Sequence, residues 1–269
     1  MRGLPGRIVL LGHPVAHSLS PRFQNAALRA AGIALTYEAL DVPLEALEAA
    51  VDALAAQGAA GNVTVPHKTA FARLCAERTP LAERVGAVNT FWTRTDGGLM
   101  GDNTDVGGVH EAVHALVGLP PSRTRVALIG AGGAAAAVCA AAESWRGDAM
   151  RCWSRRPLQA RALAHRFDGT VAPVEALAEA VQDATLVINA TTIGLSDDEF
   201  PVPFEWLRPD AAILDLVYRP GETPWVRAAR ARGHVALDGL PMLIAQGALA
   251  FERWFGVSPD RDAMRASLA

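Results

Sequence analysis

Short apolar runs alternate with amphipathic segments along the chain, and this pattern predicts strands and helices in turn. In the first part of the chain the predicted strands are 7–11, 36–41, 61–65 and 87–94, and the predicted helices are 21–31, 44–57 and 67–75. Asp96, Gly97 and Gly98 predict a hairpin turn into a short strand at 99–101. Such alternation favours an α/β fold with a parallel sheet and right-handed crossovers.

The same alternation resumes after a helix predicted at 106–116 and a spacer at 118–122. Apolar strands are predicted at 126–129, 150–153, 186–189, 212–216 and 235–237, and helices at 134–142 and 242–255. Because glycine and proline punctuate the spacer, we place a domain boundary there. Composition alone does not decide which domain the helix at 242–255 packs against.

A glycine-rich turn joins the strand at 126–129 to the helix at 134–142. Its glycines leave the backbone bare, so a pyrophosphate can approach closely and accept hydrogen bonds from the N-terminus of the helix. The turn therefore predicts a Rossmann-type dinucleotide-binding domain. The expected cofactor contacts in it are Gly130, Ala131, Gly132, Gly133 and Ala134.

The residues after the strand at 150–153 indicate which dinucleotide binds. An NAD-specific fold usually has Asp or Glu there to bind the ribose 2′-OH. This chain instead has Ser154, Arg155 and Arg156. Because two guanidinium groups suit a 2′-phosphate, the sequence predicts NADP rather than NAD.

Polar residues also follow two predicted strands of the first domain, where ligands of open α/β sheets gather. Ser18 and Ser20 come after the strand at 7–11, although Ser20 also suits the N-cap of a helix that begins at Pro21. Thr64 and Lys68 come with the strand at 61–65, and Pro66 ends that strand.

Asp105 lies in the polar run at 101–108 and is either a helix cap or a carboxylate held beside Lys68. A lysine taken alone is usually a solvated surface residue. An ammonium group paired with a carboxylate, in contrast, can move protons during the reduction of a carbonyl.

The composition excludes several other classes of protein. The 269 residues carry a net charge of −3, whereas nucleic-acid-binding domains are usually strongly basic. Cys75, Cys139 and Cys152 are odd in number and scattered, which favours free thiols in the cytoplasm over disulfides. The charge-free run at 126–142 is short for a membrane span, and the N-terminus lacks the apolar region of a signal peptide.

His110, Glu111 and His114 match the H-E-x-x-H pattern of zinc proteases on a predicted helix. The other histidines form no recognisable ligand set with them. We therefore predict an ordinary amphipathic helix and no metal site.

Taken together, the motifs resemble those of the shikimate dehydrogenases, NADP-dependent enzymes that reduce 3-dehydroshikimate to shikimate. The resemblance covers nearly the whole chain, and the order and spacing of the motifs make it specific. The motifs are HPVAHSLSP at 13–21, NVTVPHK at 62–68, GAVNT at 86–90, GDNTD at 101–105, GAGGA at 130–134, NATT at 189–192, DLVY at 215–218, and GLPML at 239–243 with Gln246.

The resemblance implies roles for individual residues. It implies that Ser18 and Ser20 bind the substrate carboxylate. Lys68 and Asp105 are implied to be the catalytic pair, which contacts the substrate and supplies the proton while NADP supplies the hydride. The other implied substrate contacts are Thr64, Asn89, Tyr218 and Gln246, and the other implied cofactor contacts are Thr191, Leu216 and Gly239.

The resemblance also implies how the domains are divided. The C-terminal helices are expected to return to the first domain, which gives a substrate-binding domain of 1–105 and 239–269 and an NADP-binding Rossmann domain of 106–238. The active site is expected in the cleft between them. The expected partners are small molecules of the shikimate pathway, which supplies aromatic amino acids, and neither nucleic acid nor a membrane. The chain is expected to be a monomer or a homodimer.

Two alternatives remain open at this point. One is a quinate/shikimate or aminoshikimate dehydrogenase, and the other is a non-catalytic NADP-binding regulator. Arg155 argues against NAD-preferring relatives, and the presence of both Lys68 and Asp105 argues against the regulator. The family often has a basic residue soon after the glycine-rich turn, where this chain has alanines at 134–137. We therefore expect phosphate affinity to depend more on Arg155 and Arg156.

Overall fold

The structure, a computed structural model, describes residues 4–118, 124–145 and 147–268. The chain divides into two compact units, a first unit of 1–105 with 243–269 and a second unit of 106–242. The chain re-enters the first unit after Met242, a few residues later than the boundary expected before Gly239. The first boundary falls after Asp105 and not at the spacer predicted at 118–122, of which only Gly118 lies within the described residues.

Strands and helices are numbered in chain order. The strands are β1 (Ile8–Gly12), β2 (Tyr37–Asp41), β3 (Ala60–Val63), β4 (Glu77–Arg78), β5 (Thr90–Thr93), β6 (Leu99–Asp102), β7 (Val126–Ile129), β8 (Met150–Trp153), β9 (Val171–Pro173), β10 (Leu186–Asn189), β11 (Ala212–Asp215) and β12 (Ala236–Leu237). The α-helices are α1 (Ser20–Ala30), α2 (Leu47–Ala56), α3 (Lys68–Leu74), α4 (Pro80–Val85), α5 (Asp105–Val117), α6 (Gly133–Ala142), α7 (Pro157–Arg166), α8 (Leu177–Val181), α9 (Pro224–Ala231), α10 (Leu240–Phe255) and α11 (Arg261–Ala266).

The sheet of the first unit is mixed, with the strand order β2-β1-β3-β5-β6-β4. Strand β1 pairs in parallel with β2 and β3, as the alternation predicts, but β5 is antiparallel to both β3 and β6. The predicted hairpin turn at 96–98 reverses the chain here. Because β5 is antiparallel to β3 and β6, its first residues lie at the edge of the sheet where those two strands end. Asn89, which precedes β5, therefore lies beside those strand ends.

The sheet of the second unit is parallel throughout its described strands, in the order β12-β11-β10-β7-β8-β9. This is the doubly wound arrangement of a Rossmann domain, and it confirms the predicted fold class. The order reverses between β7 and β10, and ligands of such sheets bind at the carboxyl ends of the strands near that point. The elements that were not predicted are β4, α4, α7, β9, α8, α9 and α11.

Two local predictions are corrected by the backbone. Ser20 is the first residue of α1 and not its N-cap, which is Leu19. The hydroxyl of Ser18 accepts from the N–H of Ser20 instead, at 3.2 Å. The strand predicted at 87–94 begins only at Thr90, since the N–H of Val88 is bonded to the carbonyl of Lys68 in another element.

Each unit has its own apolar core. In the first unit, Val9, Leu11 and Phe91 from the sheet pack with Phe71 of α3, and all four are fully buried. In the second, Ile129, Val187 and Ile213 pack with Trp225 of α9. Full burial of one such side chain contributes roughly 1.5–3 kcal/mol. None of the described helices is long and apolar enough to cross a membrane.

The C-terminal helices complete the first unit. The side-chain amide of Gln24 in α1 donates to the carbonyl of Gly247 in α10 at 2.9 Å. A Cβ at Gly247 would lie 2.4 Å from the Phe23 ring, so only glycine allows this approach. Helix α11 also packs on α1, where Arg22 donates to the carbonyl of Ser267 at 2.6 Å. Residues far apart in sequence therefore share one core.

Candidate active site

The functional side chains of the first unit lie where β3, β5 and β6 meet at one edge of the sheet. Lys68 is the first residue of α3, which follows β3, and Asp105 is the first residue of α5, which follows β6. Asn89 directly precedes β5. The tight turn between β3 and α3 is closed by the N–H of His67, which donates to the carbonyl of Thr64 at 2.9 Å. Three separate segments thus bring polar side chains to the same place.

Lys68 and Asp105 form a largely buried ion pair. The Nζ of Lys68 donates to Oδ2 of Asp105 at 2.6 Å, and the two side chains are 19% and 6% exposed. Within the described residues, Asp105 is the only acceptor for this ammonium group, which leaves two of its N–H bonds available to a ligand. The carboxylate of Asp105 therefore fixes the direction of an ammonium group that still has N–H bonds to donate.

Asn89 connects this pair to the C-terminal helix α10. Its Nδ2 donates to Oδ1 of Asp105 at 2.8 Å and to Oε1 of Gln246 at 3.1 Å. Its Oδ1 accepts from the N–H of Thr104 at 2.7 Å. Asn89, Asp105 and Gln246, which the sequence predicted as substrate contacts, therefore form one hydrogen-bonded group with Lys68.

Asp102 supports the loop that carries Asp105, and sequence reasoning missed this role. Its buried carboxylate accepts from the Thr79 hydroxyl at 2.5 Å, from the N–H of Asn103 at 2.8 Å and from Nε of Arg253 at 2.8 Å. Asp102 belongs to a recognisable motif, but no local signal points to Arg253, which lies on α10. The contact depends on long-range folding.

Ser18, Ser20 and Thr64 come from two turns that the structure places side by side. The N–H of His13 donates to the carbonyl of Val65 at 3.1 Å, which links the turn after β1 to the turn after β3. The methyl group of Thr64 occupies the space over Gly12, where a Cβ would lie 2.4 Å away. Ser20 is buried, whereas Ser18 and Thr64 are half-buried.

A cavity of about 570 Å³ in the first unit lies away from these residues. It opens at the edge of the sheet where β3 and β6 begin, beside Ala60, Trp92 and Met100. None of the predicted site residues lines it. Its size is in the range of small-molecule pockets, but its position separates it from the Lys68–Asp105 pair.

The glycine-rich turn of the second unit fits a pyrophosphate. Gly130 has a φ of 112°, and a Cβ there would lie 2.7 Å from the carbonyl oxygen of Ala190. Nothing lies within 4 Å of a Cβ built at Gly132, so the backbone is open on that side. Helix α6 begins at Gly133 with no side-chain cap, which leaves its first N–H groups available to an anion. Ala131 and Ala134, the other predicted contacts, are half-buried in the same turn.

The residues after β8 fit a second phosphate. Arg155 and Arg156 are exposed, and Ser154 accepts from the N–H of Arg156 at 3.2 Å. Neither guanidinium has an ion pair with any residue that the structure describes. Arg161 on the next helix, in contrast, is paired with Glu175 at 2.7 Å. The residues present therefore suit the 2′-phosphate of NADP.

The remaining predicted cofactor contacts, Thr191, Leu216 and Gly239, follow the carboxyl ends of β10, β11 and β12. The N–H of Leu216 donates to the carbonyl of Asn189 at 2.9 Å, and the N–H of Gly239 donates to the carbonyl of Val217 at 2.8 Å. A Cβ at Gly239 would lie 2.3 Å from the carbonyl oxygen of Leu216, so this approach requires glycine. Thr191 is bonded to Asn189 at the same edge.

Tyr218 also belongs to the second unit, where it is half-buried. It follows β11 and therefore lies on a different unit from the Lys68 group. The structure thus divides the predicted substrate contacts, with Tyr218 in one unit and the others in the other.

Asp215 is a functional candidate that sequence reasoning missed. It is the last residue of β11 and is fully buried, and burial raises the pKa of its carboxyl group to about 6. Hydrogen bonds from Thr223 and Asn189 act in the opposite direction, and the nearby charge of Asp238 raises the pKa further. The available signal was a polar residue that ends an otherwise apolar strand, as Asn189 also does in β10.

The H-E-x-x-H residues lie on α5. His110 is half-buried and makes an edge contact with the Trp145 ring, and burial lowers its pKa. His114 is exposed. In the described ranges, no group of three His, Cys, Asp or Glu side chains is placed to hold a metal ion.

Comparison with known proteins identifies relatives of the chain. The model of the shikimate dehydrogenase substrate binding domain matches residues 10–91, and that of the shikimate 5'-dehydrogenase C-terminal domain matches residues 239–269. A shikimate dehydrogenase (NADP(+)) from Rubrobacter xylanophilus is 47% identical, over 97% of this chain and 94% of its own. One from Thermus thermophilus is 42% identical, over 96% of this chain and 95% of its own.

A solved structure of a shikimate dehydrogenase is also similar to this chain over nearly its whole length. The crystal structure of shikimate 5-dehydrogenase from Thermus thermophilus, in complex with NADP(H) and shikimate, matches with a TM-score of 0.87. The sequences are 40% identical, and the match covers 97% of this chain and 98% of the other.

Proposed function

Because the chain belongs to the shikimate dehydrogenase family, we propose that it interconverts 3-dehydroshikimate and shikimate with NADP, and that Lys68 and Asp105 are its catalytic pair. The enzyme is an NADP-dependent oxidoreductase of the shikimate pathway. The observation that carries the proposal for the pair is the buried 2.6 Å contact between the Lys68 ammonium and the Asp105 carboxylate.

Proton transfer is assigned to Lys68. NADPH, when bound, supplies the hydride for the carbonyl carbon, and NADP⁺ accepts it in the reverse direction. Lys68 donates a proton to the carbonyl oxygen as the alcohol forms, and its neutral amine takes that proton back in the reverse reaction. Asp105 accepts a hydrogen bond from the Nζ of Lys68 and thereby fixes its direction. Lys68 is also the only lysine of the chain, every other Lys or Arg position being arginine.

The polar residues around the pair are assigned to the substrate. Ser18 and Ser20 bind its carboxylate through hydroxyl groups, while Thr64, Asn89 and Gln246 bind ring hydroxyls. Each buried hydroxyl left without a partner costs roughly 1–3 kcal/mol, so a polyhydroxylated acid needs such a lining. Tyr218 is assigned a further substrate contact.

The cofactor is assigned to the second unit. The turn from Gly130 to Ala134 holds the pyrophosphate through backbone N–H groups. Ser154, Arg155 and Arg156 bind the 2′-phosphate. The residues assigned to the other end of the cofactor are Thr191, Leu216 and Gly239.

We also assign the enzyme to the cytoplasm, with small molecules as its ligands and a monomeric or homodimeric state. The three cysteines are free and buried, as expected of a protein in a reducing compartment. Sedimentation equilibrium of the purified chain distinguishes the two oligomeric states.

The experiment that tests the proposed function follows absorbance at the nicotinamide band. Purified protein is mixed with shikimate or quinate, and with NADP or NAD, in all four combinations. We expect fast reduction with shikimate and NADP alone. Comparable rates with quinate or NAD would assign the chain to the paralogues, and no reaction in any combination would contradict the proposal.

A further inference from the structure

We propose that Asp215 is a positioning residue for the cofactor, because it fixes the orientation of the Asn189 amide and, through it, the direction of the Thr191 hydroxyl. The inference rests on the proposed function, in which Thr191 contacts NADP. It gives a role to a buried acidic side chain that the proposed reaction does not use.

Asn189 and Asp215 are in contact at the ends of two neighbouring strands. Asn189 and Asp215 are both fully buried and end the neighbouring strands β10 and β11. Nδ2 of Asn189 donates to Oδ1 of Asp215 at 2.8 Å. An ionised carboxylate can only accept hydrogen bonds, so the amide of Asn189 must present its NH₂ group to it. The carbonyl oxygen of that amide then has to point the other way.

The orientation of the Asn189 amide in turn determines the hydrogen bonds of Thr191. Oδ1 of Asn189 accepts from the N–H of Thr191 at 3.0 Å and from its hydroxyl at 2.7 Å. The single hydroxyl proton of Thr191 is therefore committed to Asn189, and its oxygen accepts from the N–H of Ile193 at 3.1 Å. One lone pair remains. A cofactor group bound at Thr191 must then be a donor, such as an N–H or O–H group.

The carboxylate of Asp215 accepts further hydrogen bonds besides the one from Asn189. Its Oδ2 accepts from the Thr223 hydroxyl at 2.7 Å, and Thr223 caps α9 by accepting from the N–H of Val226 at 3.3 Å. Its Oδ1 also accepts from the N–H of Val217 at 3.1 Å. All of these donors are uncharged, so the carboxylate is fixed in direction without a cation.

The charged groups nearest to Asp215 do not neutralise it. Asp238 faces it with a like charge, and Glu222 and Arg230 lie close to Asp238. The guanidinium of Arg230 is bonded to Glu222 and to the carbonyl of Ala236 instead. Burial raises the pKa of Asp215 to about 6. A protonated Asp215 can donate to Asn189, which permits the opposite orientation of the amide.

The experiment is a fluorescence titration of the purified full-length enzyme with NADPH, from pH 5 to pH 7.5, for the wild type and for Asp215→Asn. The introduced amide has nearly the same shape as the carboxylate but can donate as well as accept. We expect Asp215→Asn to weaken NADPH binding about tenfold at pH 7.5, the effect of one displaced hydrogen bond. We also expect the wild type to lose affinity as the pH falls below about 6, and the variant not to.

Two further variants separate positioning from general stability. Thr223→Val removes the α9 contact but leaves the carboxylate facing Asn189, so it should lower the melting temperature and leave NADPH affinity unchanged. Thr191→Val removes the last member of the relay, so it should reproduce the binding loss, and the two losses should not add in Thr191→Val/Asp215→Asn. If Asp215→Asn does not fold, Thr191→Val alone still tests whether this relay contributes to NADPH binding.

Three results would overturn the inference. They are wild-type NADPH affinity in Asp215→Asn at every pH, equal loss of affinity in Asp215→Asn and Thr223→Val, or wild-type affinity in Thr191→Val. A different result would contradict the proposed function, namely a wild-type enzyme that neither binds NADPH nor oxidises shikimate. The wild-type arm therefore distinguishes the two failures.

Discussion

The two units hold a buried carboxylate in opposite ways. Asp105 of the first unit faces the ammonium group of Lys68 at 2.6 Å, so two opposite charges compensate each other. Asp215 of the second unit is buried among the uncharged donors Asn189, Thr223 and Val217. The first arrangement fixes the direction of the ammonium group to which we assign proton transfer. The second fixes which neighbouring groups donate and which accept, and it does so against the cost of burying an uncompensated charge.

The largest effect is expected when the cation of the charged pair, Lys68, is removed. Lys68→Ala should lower kcat by about 10²–10⁴, because it removes the proton donor, while NADPH affinity should stay unchanged. Steady-state kinetics and NADPH titration measure the two quantities.

Lys68 also offers a chemical version of the same test. Since it is the only lysine, an amine-selective reagent has one side-chain target besides the N-terminus. We expect shikimate to protect the enzyme from inactivation and one modified side chain to account for the lost activity. Near-normal turnover of Lys68→Ala would remove Lys68 from the mechanism.

A smaller effect is expected from breaking the pair at its anion. Asp105→Asn leaves the ammonium group without its counter-charge, and removing one partner of a fully buried pair costs about 3–5 kcal/mol. Because Lys68 is 19% exposed, the loss in the free energy of unfolding should lie below that range. Urea unfolding at pH 7 measures it, and kcat should fall as well.

The matched variant for that comparison is Asp215→Asn, which removes a charge that has no cation. It should cost less stability at pH 7 than Asp105→Asn. Equal losses would mean that the ion pair adds nothing beyond the hydrogen bonds.

The exposed end of the second unit gives a third test. Arg155→Ala should raise the KM for NADP by about 10- to 100-fold, since a charge-assisted contact to phosphate is lost, and should change the KM for NAD little. Arg161→Ala is the control, because Arg161 is exposed but already paired with Glu175. An equal loss for both cofactors would show that Arg155 does not recognise the 2′-phosphate.

The smallest effect is a slope in the pH dependence of stability. Asp215 has a raised pKa of about 6 in the folded protein, so the folded state binds its proton more tightly than the unfolded state. Its contribution to stability is therefore present below about pH 4 and is lost as the pH rises through about 6. A single group gives at most about 1.4 kcal/mol per pH unit.

Urea unfolding of the wild type and of Asp215→Asn between pH 4 and pH 7 measures this slope. The stability of the variant relative to the wild type should increase as the pH rises through this range. Parallel curves would contradict the raised pKa.

Local patterns in the sequence were sufficient for part of this molecule. The glycine-rich turn predicted a Rossmann domain, which the parallel sheet of the second unit confirms, because the backbone conformation of a tight turn is encoded within a few residues. Binding of the 2′-phosphate by the arginines after β8 stays a prediction. A carboxylate held beside Lys68 was one of two interpretations of Asp105 in the polar run at 101–108, and the structure has the two groups in contact at 2.6 Å.

The missed features depend on contacts between distant segments. The predicted hairpin turn at 96–98 accounts for the antiparallel pairing of β5 with β6. The antiparallel pairing of β5 with β3, in contrast, joins segments that no local turn connects, and it was not predicted. Arg253 reaches Asp102 across 151 positions of sequence. Asp215 was visible as a polar residue after an apolar strand, but its burial and partners emerge only when β10 and β11 lie side by side.

The discontinuous first unit has a consequence for the synthesis of the protein. Proteins are made from the N-terminus, and domains fold as their residues emerge from the ribosome. Residues 106–242 are complete before residues 243–269 appear, and these later residues include Gln246, Gly247 and Arg253, which contact Asn89, Gln24 and Asp102. A nascent or truncated chain thus carries a finished nucleotide unit and an uncovered hydrophobic surface around Phe23. The hydrogen bond from Asn89 to Gln246, and with it the complete group around Lys68, can form only after α10 has been translated.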